Sequence, residues 1–225
     1  LYFVETFDQA AELAVRLAGE GGTSAPDELR DEPVPSPAGD GSPAFESHQR
    51  YLRGLFSGGT LAYEALLLLQ HYLPEVYSNV PLRPDQRLEN SMISREHTIV
   101  DLGEDEFTVG RLHPMMDNDL RIRRLKQEAE DPEVAVILLD VVLGYGAHPD
   151  PAAELAPAIS EAREGAQQAG RHLEVIAVVV GTDEDPQDMA AQVARLEEAG
   201  ARVFHSNEEA VRTAGRLVGD GHVSA

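Results

Sequence analysis

The stretch VAVILLDVV, residues 134–142, decides the fold, because eight of its nine residues are aliphatic and only Asp140 is polar. A strand that is apolar on both faces is typical of a parallel sheet covered by helices on each side. Similar apolar runs occur elsewhere in the chain, at residues 51–57, 97–103, 173–181 and 201–205. We therefore predict five parallel strands.

Each apolar run is followed by a sequence with helical periodicity. The predicted helices lie at about residues 60–72, 118–130, 151–169, 187–199 and 206–218. Alternation of strands and helices is the mark of an α/β domain in which helices cover both faces of a parallel sheet. We predict a three-layer, doubly wound, five-stranded fold of the flavodoxin type.

Composition excludes several classes of function. The 225 residues include 40 acidic and 18 basic side chains, for a formal net charge of −22, so neither nucleic acid nor an anionic membrane is expected as a partner. The chain has no cysteine, which excludes disulfides and thiolate metal sites. No signal peptide or membrane-spanning run is visible, and we predict a cytoplasmic protein.

The chain is predicted to have four parts. Residues 21–47 are rich in proline and glycine and indicate a linker, residues 48–220 form the main domain, and residues 221–225 form a tail. Residues 2–20 align without gaps to residues 202–220, with five identities in 19 positions, and both segments carry a capping box. Residues 1–20 are therefore predicted to be the last strand and helix of a preceding, related domain. The alternative is two ordinary capped helices.

The first loop after a strand has the composition of an anion site. It reads Ser57-Gly58-Gly59-Thr60 and leads directly into a predicted helix. The glycines leave backbone N–H groups uncovered, the hydroxyls add donors, and the positive end of the helix favours a phosphate or carboxylate. The alternative is a structural turn with Thr60 as the N-cap.

Other loops at the carboxyl ends of the predicted strands supply further candidates. Arg111 and His113 are cationic candidates in the long acidic loop 103–117, and His148 is a candidate acid or base. The carboxylates of that loop would suit Mg²⁺ or form a solvated surface, and we assign no metal ligand. Asp140 ends a buried strand and needs a partner. The remaining candidates, which would shape the crevice, are Gly103, Gly144, Gly146, Gly181 and Thr182.

Several strings resemble one protein family. The segment GLFSGGTLAYEA, residues 54–65, is similar to the segment of the succinyl-CoA synthetase alpha subunit that opens a helix facing the reacting phosphate. The strings HTIVDLGEDEFTVGRLHPMMD and PEVAVILLDVVLGYGAHPDPA resemble the FdrA family of acyl-CoA-synthetase-like proteins. The resemblance covers about residues 48–220.

The resemblance implies the C-terminal portion of a protein with two related halves. It implies a role in ureide breakdown, as a subunit of an oxamate carbamoyltransferase that moves a carbamoyl group between oxalurate and phosphate. By the same resemblance, residues 57–60 would receive the phosphate of an acyl or carbamoyl phosphate, and a preceding domain would hold CoA. The loop GTDEDPQDM, residues 181–189, lacks the histidine of the synthetases, which argues against phosphohistidine chemistry.

Three classes of function remain open. The first is an enzyme subunit that stabilises charge at the helix terminus with help from Arg111 or His113. The second is a binding module that completes an active site in partner subunits, or a CoA ligase of the succinyl-CoA synthetase type. The third, a phospho-receiver domain, is disfavoured because SGGT and HSN stand where a receiver needs an acidic pair and a lysine.

Overall fold

The computed structural model describes residues 3–19 and 45–219. The predicted tail 221–225 and most of the predicted linker 21–47 lie outside the described residues. Backbone contacts divide the chain into two compact units, with the boundary between Gly41 and Ser42. Each unit is described by itself.

The first unit contains helix α1, Phe7–Gly19. Its start is capped, because Thr6 Oγ1 accepts a hydrogen bond from the Gln9 amide at 3.2 Å. The last helix of the chain, α7 (Asn207–Gly219), has the same bounds after an offset of 200, and both have 13 residues. Both alternatives predict a helix at each of these positions, so the repeat stays a prediction. Residues 3–6 do not form a strand, so the prediction of a strand before this helix is wrong for the described residues.

The second unit contains one parallel sheet of six strands, in the order β2-β3-β1-β4-β5-β6. The strands are β1 (Tyr51–Phe56), β2 (Tyr77–Ser78), β3 (Thr98–Asp101), β4 (Val134–Val142), β5 (Glu174–Val180) and β6 (Arg202–Phe204). The other helices are α2 (Gly59–Leu69), α3 (Asp105–Thr108), α4 (Asp119–Glu130), α5 (Pro151–Gln168), α6 (Met189–Glu198) and α7. The predicted α/β fold is confirmed.

Helices cover both faces of the sheet. One apolar layer joins α2 and α7 to side chains such as Leu52, Phe56 and Ile99. The other layer joins α4, α5 and α6 to side chains such as Leu55 and Ile137. The strands β1, β3, β4 and β5 are almost wholly buried, which accounts for their continuous apolar runs, whereas the edge strand β6 is half-buried. Among the described residues, the strand β2 is the one addition to the five predicted strands. With two residues it is too short for a pattern in the sequence to show it.

An ionic network is buried between β1 and α4. The Arg53 guanidinium on β1 donates to Glu128 at 2.9 Å and to Asp131 at 2.9 Å. On α4, Arg124 donates to the other oxygen of Glu128 at 2.6 Å. Buried charges are retained only where they are paired in this way. The network therefore holds α4 against the sheet in one position.

The sheet reverses its strand order beside β1. From β1 the chain forms β2 and β3 on one side of the sheet and then crosses to β4 on the other side of β1. At such a point the loops after the two strands separate and leave a crevice at the carboxyl edge, where ligands of α/β sheets bind. Three residues end the strands at this edge: Ser57 after β1, Asp101 in β3 and Asp140 near the end of β4.

Candidate anion-binding site

Ser57 faces the interior of the protein. Its amide donates to Asp140 Oδ1 at 2.8 Å and its hydroxyl donates to Asp140 Oδ2 at 2.5 Å. With 1% of its surface exposed, Ser57 has both donors engaged by protein. Its predicted role as a donor to the ligand does not fit this arrangement. Ser57 instead anchors the start of the loop, and the residues after it meet solvent.

The Asp140 carboxylate has the partner that its burial requires. Arg121 on α4 donates to Asp140 Oδ1 at 3.0 Å and also to the Asp140 backbone carbonyl. Burial lowers the pKa of the Arg121 guanidinium, and the neighbouring Asp140 charge opposes that change. The pair is electrically balanced, so the negative charge of Asp140 is opposed by a neighbouring cation.

Three consecutive amides follow Ser57 at the start of α2. Within the described ranges, the N–H groups of Gly58, Gly59 and Thr60 have no hydrogen-bond acceptor. Gly59 and Thr60 are exposed and Gly58 is half-buried. Gly58 is the N-cap residue and Thr60 lies inside the helix, so the alternative with Thr60 as the N-cap is wrong. The first turn of α2 also has no acidic residue, which leaves the positive helix end uncompensated by its own helix.

The two glycines differ in what a side chain at their position would meet. A Cβ on Gly59 would lie 2.8 Å from Asp101 Oδ2, so any side chain there would collide with that carboxyl group. A Cβ on Gly58 would meet no atom within 4 Å, and the backbone is extended, with φ −165°. Neither packing nor conformation requires glycine at position 58. The absence of a side chain there leaves the adjacent amides open to a ligand.

Asp101 was not among the residues predicted from the sequence, and it lies at the centre of the site. Its Oδ1 accepts from the Gly103 amide at 2.8 Å. The Asn79 side chain holds its backbone by two hydrogen bonds of 2.9 Å, one to the amide and one to the carbonyl. Its Oδ2 takes part in no hydrogen bond within the described ranges and lies beside Gly59. Asp101 is thus a buried acid with one oxygen directed at the helix terminus.

Gly103 and His113, both predicted, lie next to Asp101. A Cβ on Gly103 would lie 2.7 Å from the Ser57 carbonyl oxygen and 2.8 Å from His113 Nε2, so close packing requires glycine. His113 Nδ1 accepts from the Met115 amide at 3.2 Å. In the neutral ring the proton is therefore on Nε2, which faces the Gly103 side of the crevice.

Other predicted residues of the long loop do not converge on the site. Arg111 is exposed and forms no ion pair within the described ranges. Among residues 3–19 and 45–219, no group of three or more histidine, aspartate or glutamate side chains is arranged to hold a metal ion. The Mg²⁺ suggested by the acidic loop therefore has no preformed set of ligands in this part of the chain.

The loop after β4 is fastened by protein contacts. Gln187 accepts from the Gly144 amide at 3.0 Å and donates to the carbonyls of Gly144 and His148 at 2.9 Å each. Gly144, at φ +140°, has a conformation that favours glycine. The Gly144 amide is therefore not available to a ligand.

His148, the predicted acid or base, contacts the start of α5. Its Nε2 lies 3.4 Å from Glu154 and its Nδ1 accepts from the Asp150 amide, so His148 organises the entry to α5. Gly146 is exposed and its Cβ position is open.

Gly181 and Thr182 form part of the next helix entry. A Cβ on Gly181 would lie 2.8 Å from Leu143 Cβ, which explains the glycine by packing. The Thr182 amide donates to Asp185 Oδ2 at 2.7 Å, and its hydroxyl accepts from the Glu184 amide at 3.3 Å. These contacts close a turn before α6 and do not point to ligand binding.

A separate cavity lies at the opposite edge of the sheet. Its volume is about 520 Å³, and Arg163, Arg171 and His172 are among its lining residues. It contains none of the residues predicted from the sequence.

No helix in the described ranges combines the length and apolar character that crossing a bilayer requires.

Comparison with known proteins supports a family assignment. Residues 55–217, which include most of the second unit, match the CoA-ligase family. The chain is also 40% identical over 207 residues to the uncharacterized protein YahF of Escherichia coli (strain K12). That match covers 92% of this chain and 40% of the relative, so the chain spans less than half the length of YahF. Membership of the narrower FdrA group stays a prediction, whereas the broader conclusion follows directly: this chain belongs to the CoA-ligase family.

Proposed function

We propose that the chain is the CoA-ligase-type module of a longer enzyme and holds the phosphoryl or carboxylate group of the substrate at the start of α2. The observation that carries the proposal is the run of three N–H groups, on Gly58, Gly59 and Thr60, without acceptors in the described protein. They lie at the point where the strand order reverses. Backbone amides at a helix N-terminus bind oxyanions through hydrogen bonds and the helix dipole.

The surrounding residues prepare this terminus for an anion. Asp140 fixes Ser57 through both of its donors, which sets the direction of the amides that follow. Arg121 balances the Asp140 charge and so reduces repulsion of the incoming anion. Because these groups are in place before the ligand arrives, they stabilise negative charge on a reacting oxygen without reorganising. The chain thus binds and orients the acyl or phosphoryl group.

The substrate proposed is a small acyl phosphate, with carbamoyl phosphate as the member suggested by the resemblance to the FdrA family. The amides match the size and charge of one phosphoryl or carboxylate group and not of the whole CoA molecule. CoA, when the longer enzyme uses it, supplies the thiol that accepts the acyl group. We assign its binding to the part of that enzyme outside this chain, and we derive no step through it.

Calorimetric titration tests the proposal. Inorganic phosphate, acetyl phosphate and carbamoyl phosphate are titrated into the wild-type chain and into Gly58→Val, whose side chain is expected to cover the amides without clashing. We expect affinity to fall at least about tenfold, the effect of losing one hydrogen bond to a charged group. Gly165→Val is the matched control, because its Cβ also meets nothing within 4 Å but it lies near the far end of α5. Absence of binding by the wild type, or equal loss in both variants, would refute the proposal.

A second candidate, a module that completes the active site of a partner, is favoured by apolar side chains around the crevice. Val109 and Tyr145 are 81% and 91% exposed, and Leu112 and Met116 on the same loops are also exposed. The two loops lie side by side, because the His148 amide donates to the Met115 carbonyl, and exposed apolar side chains on them suit an interaction surface. The test is to assay acyl-phosphate turnover by the chain alone and in the full-length protein that contains it. Turnover only in the full-length protein, reduced in Tyr145→Ser, supports this role.

A further inference from the structure

Asp101 has one carboxyl oxygen engaged and one directed at the anion site. Oδ1 accepts from the Gly103 amide at 2.8 Å, whereas Oδ2 has no hydrogen-bond partner within the described ranges. Oδ2 lies 2.8 Å from the point that a Cβ on Gly59 would occupy. Asn79 holds the backbone on both sides of this residue. The position of Oδ2 is thus fixed next to the first residue of α2, although Asp101 is only 3% exposed.

The charges that face Asp101 are mostly negative. Glu104 from the following turn and Asp140 from β4 disfavour the ionised form of Asp101, whereas His113 from the long loop favours it. Glu106 approaches from α3 through Asn79, at 3.4 Å from the amide nitrogen. Burial raises the pKa of Asp101, and Glu104 and Asp140 raise it further, while the Gly103 N–H and His113 oppose the change. The buried cation Arg121 on α4 is bound to Asp140 instead.

An ionised carboxylate at this position would repel the anion that the three amides attract. A protonated carboxyl group would do the opposite, because its O–H donates a hydrogen bond to an oxygen of the ligand. The same carboxyl group therefore either prevents or strengthens binding, according to whether Oδ2 carries a proton.

We propose that Asp101 is the proton donor of the anion site, and that the anion binds together with one proton held on Asp101 Oδ2. This inference rests on the proposed function of the helix terminus. On binding, ionised Asp101 takes one proton from solvent, and the resulting carboxyl group donates that proton in a hydrogen bond to the oxyanion. When the ligand leaves, the proton returns to solvent. Asp101 thus makes affinity for any oxyanion dependent on pH.

Sulfate is the probe for the test, because it does not change its own charge between pH 5 and 9. Sulfate binding to the wild type is measured by calorimetry across this range, in buffers that differ in ionisation enthalpy. Proton linkage predicts uptake of up to one proton and an affinity that falls by up to about tenfold per pH unit above the pKa of Asp101. In Asp101→Asn, whose amide also donates, affinity should become independent of pH and exceed that of the wild type at high pH.

Two control variants separate Asp101 from its neighbours. Asp105→Asn removes an exposed carboxylate four residues away and should keep the pH dependence of the wild type. His113→Gln should also keep it, since the proton is assigned to the carboxyl group. Loss of the dependence in His113→Gln, with retention in Asp101→Asn, would overturn the inference.

The two proposals fail in different ways. If the wild type binds sulfate and Asp101→Asn shows an unchanged pH profile, the inference is wrong and the anion site stands. If the wild type binds neither sulfate nor phosphate at any pH, both are wrong. Circular dichroism and a thermal melt of each variant show that differences in affinity do not arise from unfolding.

Discussion

Breaking the buried ion pair between Arg121 and Asp140 should destabilise the protein strongly. The two side chains are 4% and 1% exposed, and their closest nitrogen and oxygen atoms are 3.0 Å apart. In an effective dielectric constant of about 20, the attraction at this distance is roughly 5 kcal/mol. In Arg121→Met that attraction is lost and the Asp140 carboxylate stays buried with only Ser57 as a donor. We expect a loss of roughly 3–5 kcal/mol in the free energy of unfolding, as found for buried pairs that lose one partner.

The same helix provides a control for this prediction. Arg123 forms an ion pair with Asp119 at the same distance of 3.0 Å, but the two side chains are 59% and 73% exposed. Arg123→Met should therefore cost less than about 1 kcal/mol. Both variants are measured by urea unfolding, with linear extrapolation of the free energy to water. A loss below about 1 kcal/mol in Arg121→Met, or equal losses in the two variants, would refute the reasoning.

The coupling between the two partners can be measured separately. Asp140→Asn keeps a carbonyl oxygen for the Ser57 amide but leaves Arg121 buried without a counter-charge. The double variant Arg121→Met/Asp140→Asn should be more stable than the sum of the two single losses predicts, by roughly 1–3 kcal/mol. Strict additivity would show that the charges do not act as a pair.

Three further predictions concern other parts of the domain. Gly59→Ala should lower the free energy of unfolding in urea by about 1–2 kcal/mol, because its Cβ would lie 2.8 Å from Asp101 Oδ2. Gly58→Ala should stay within about 0.5 kcal/mol of the wild type, because its Cβ would meet no atom within 4 Å. Asp101→Asn should raise the free energy of unfolding at pH 8 but not at pH 4. The pKa of Asp101 is raised in the folded state, so the wild type loses stability as the pH rises from the unfolded-state pKa to the folded-state pKa. Asparagine does not ionise, so the variant does not lose this stability. Glu128→Gln should lower the free energy of unfolding by roughly 3–5 kcal/mol in the same assay, because the buried Arg53 and Arg124 guanidinium groups lose the carboxylate that they share.

The sequence was sufficient to predict the layers of the fold. A strand such as β4, apolar on both faces, has few alternatives in a chain of this length, and the helices after the strands have regular periodicity. The edge strand β2 was missed because two residues carry no period. The strand predicted before α1 was wrong for the described residues, although the helix itself has the same bounds as α7 after an offset of 200.

The place of the candidate loop between a strand and a helix was predicted, but the contacts of its side chains were not. The loop after β1 was identified because glycines before a helix leave amides uncovered, and that property is local. The inward orientation of Ser57 depends on Asp140, which is 83 residues away, and no local pattern contains that contact. Asp101 gave the same signal as Asp140, an acid near the end of an apolar run, but was not selected as a candidate. Arg121 lies in a helix with charges on several faces, so only tertiary structure shows which arginine is buried.

The contact of Ser57 with Asp140 also has a consequence for the order of events during folding. Its two partners are separated by 83 residues, and they meet only when β1 and β4 have paired. Contacts between distant parts of a chain form late, because the intervening loop must close first. A refolding intermediate that lacks this pairing has no fixed amides at the start of α2, so recovery of anion affinity would report the completion of the central sheet.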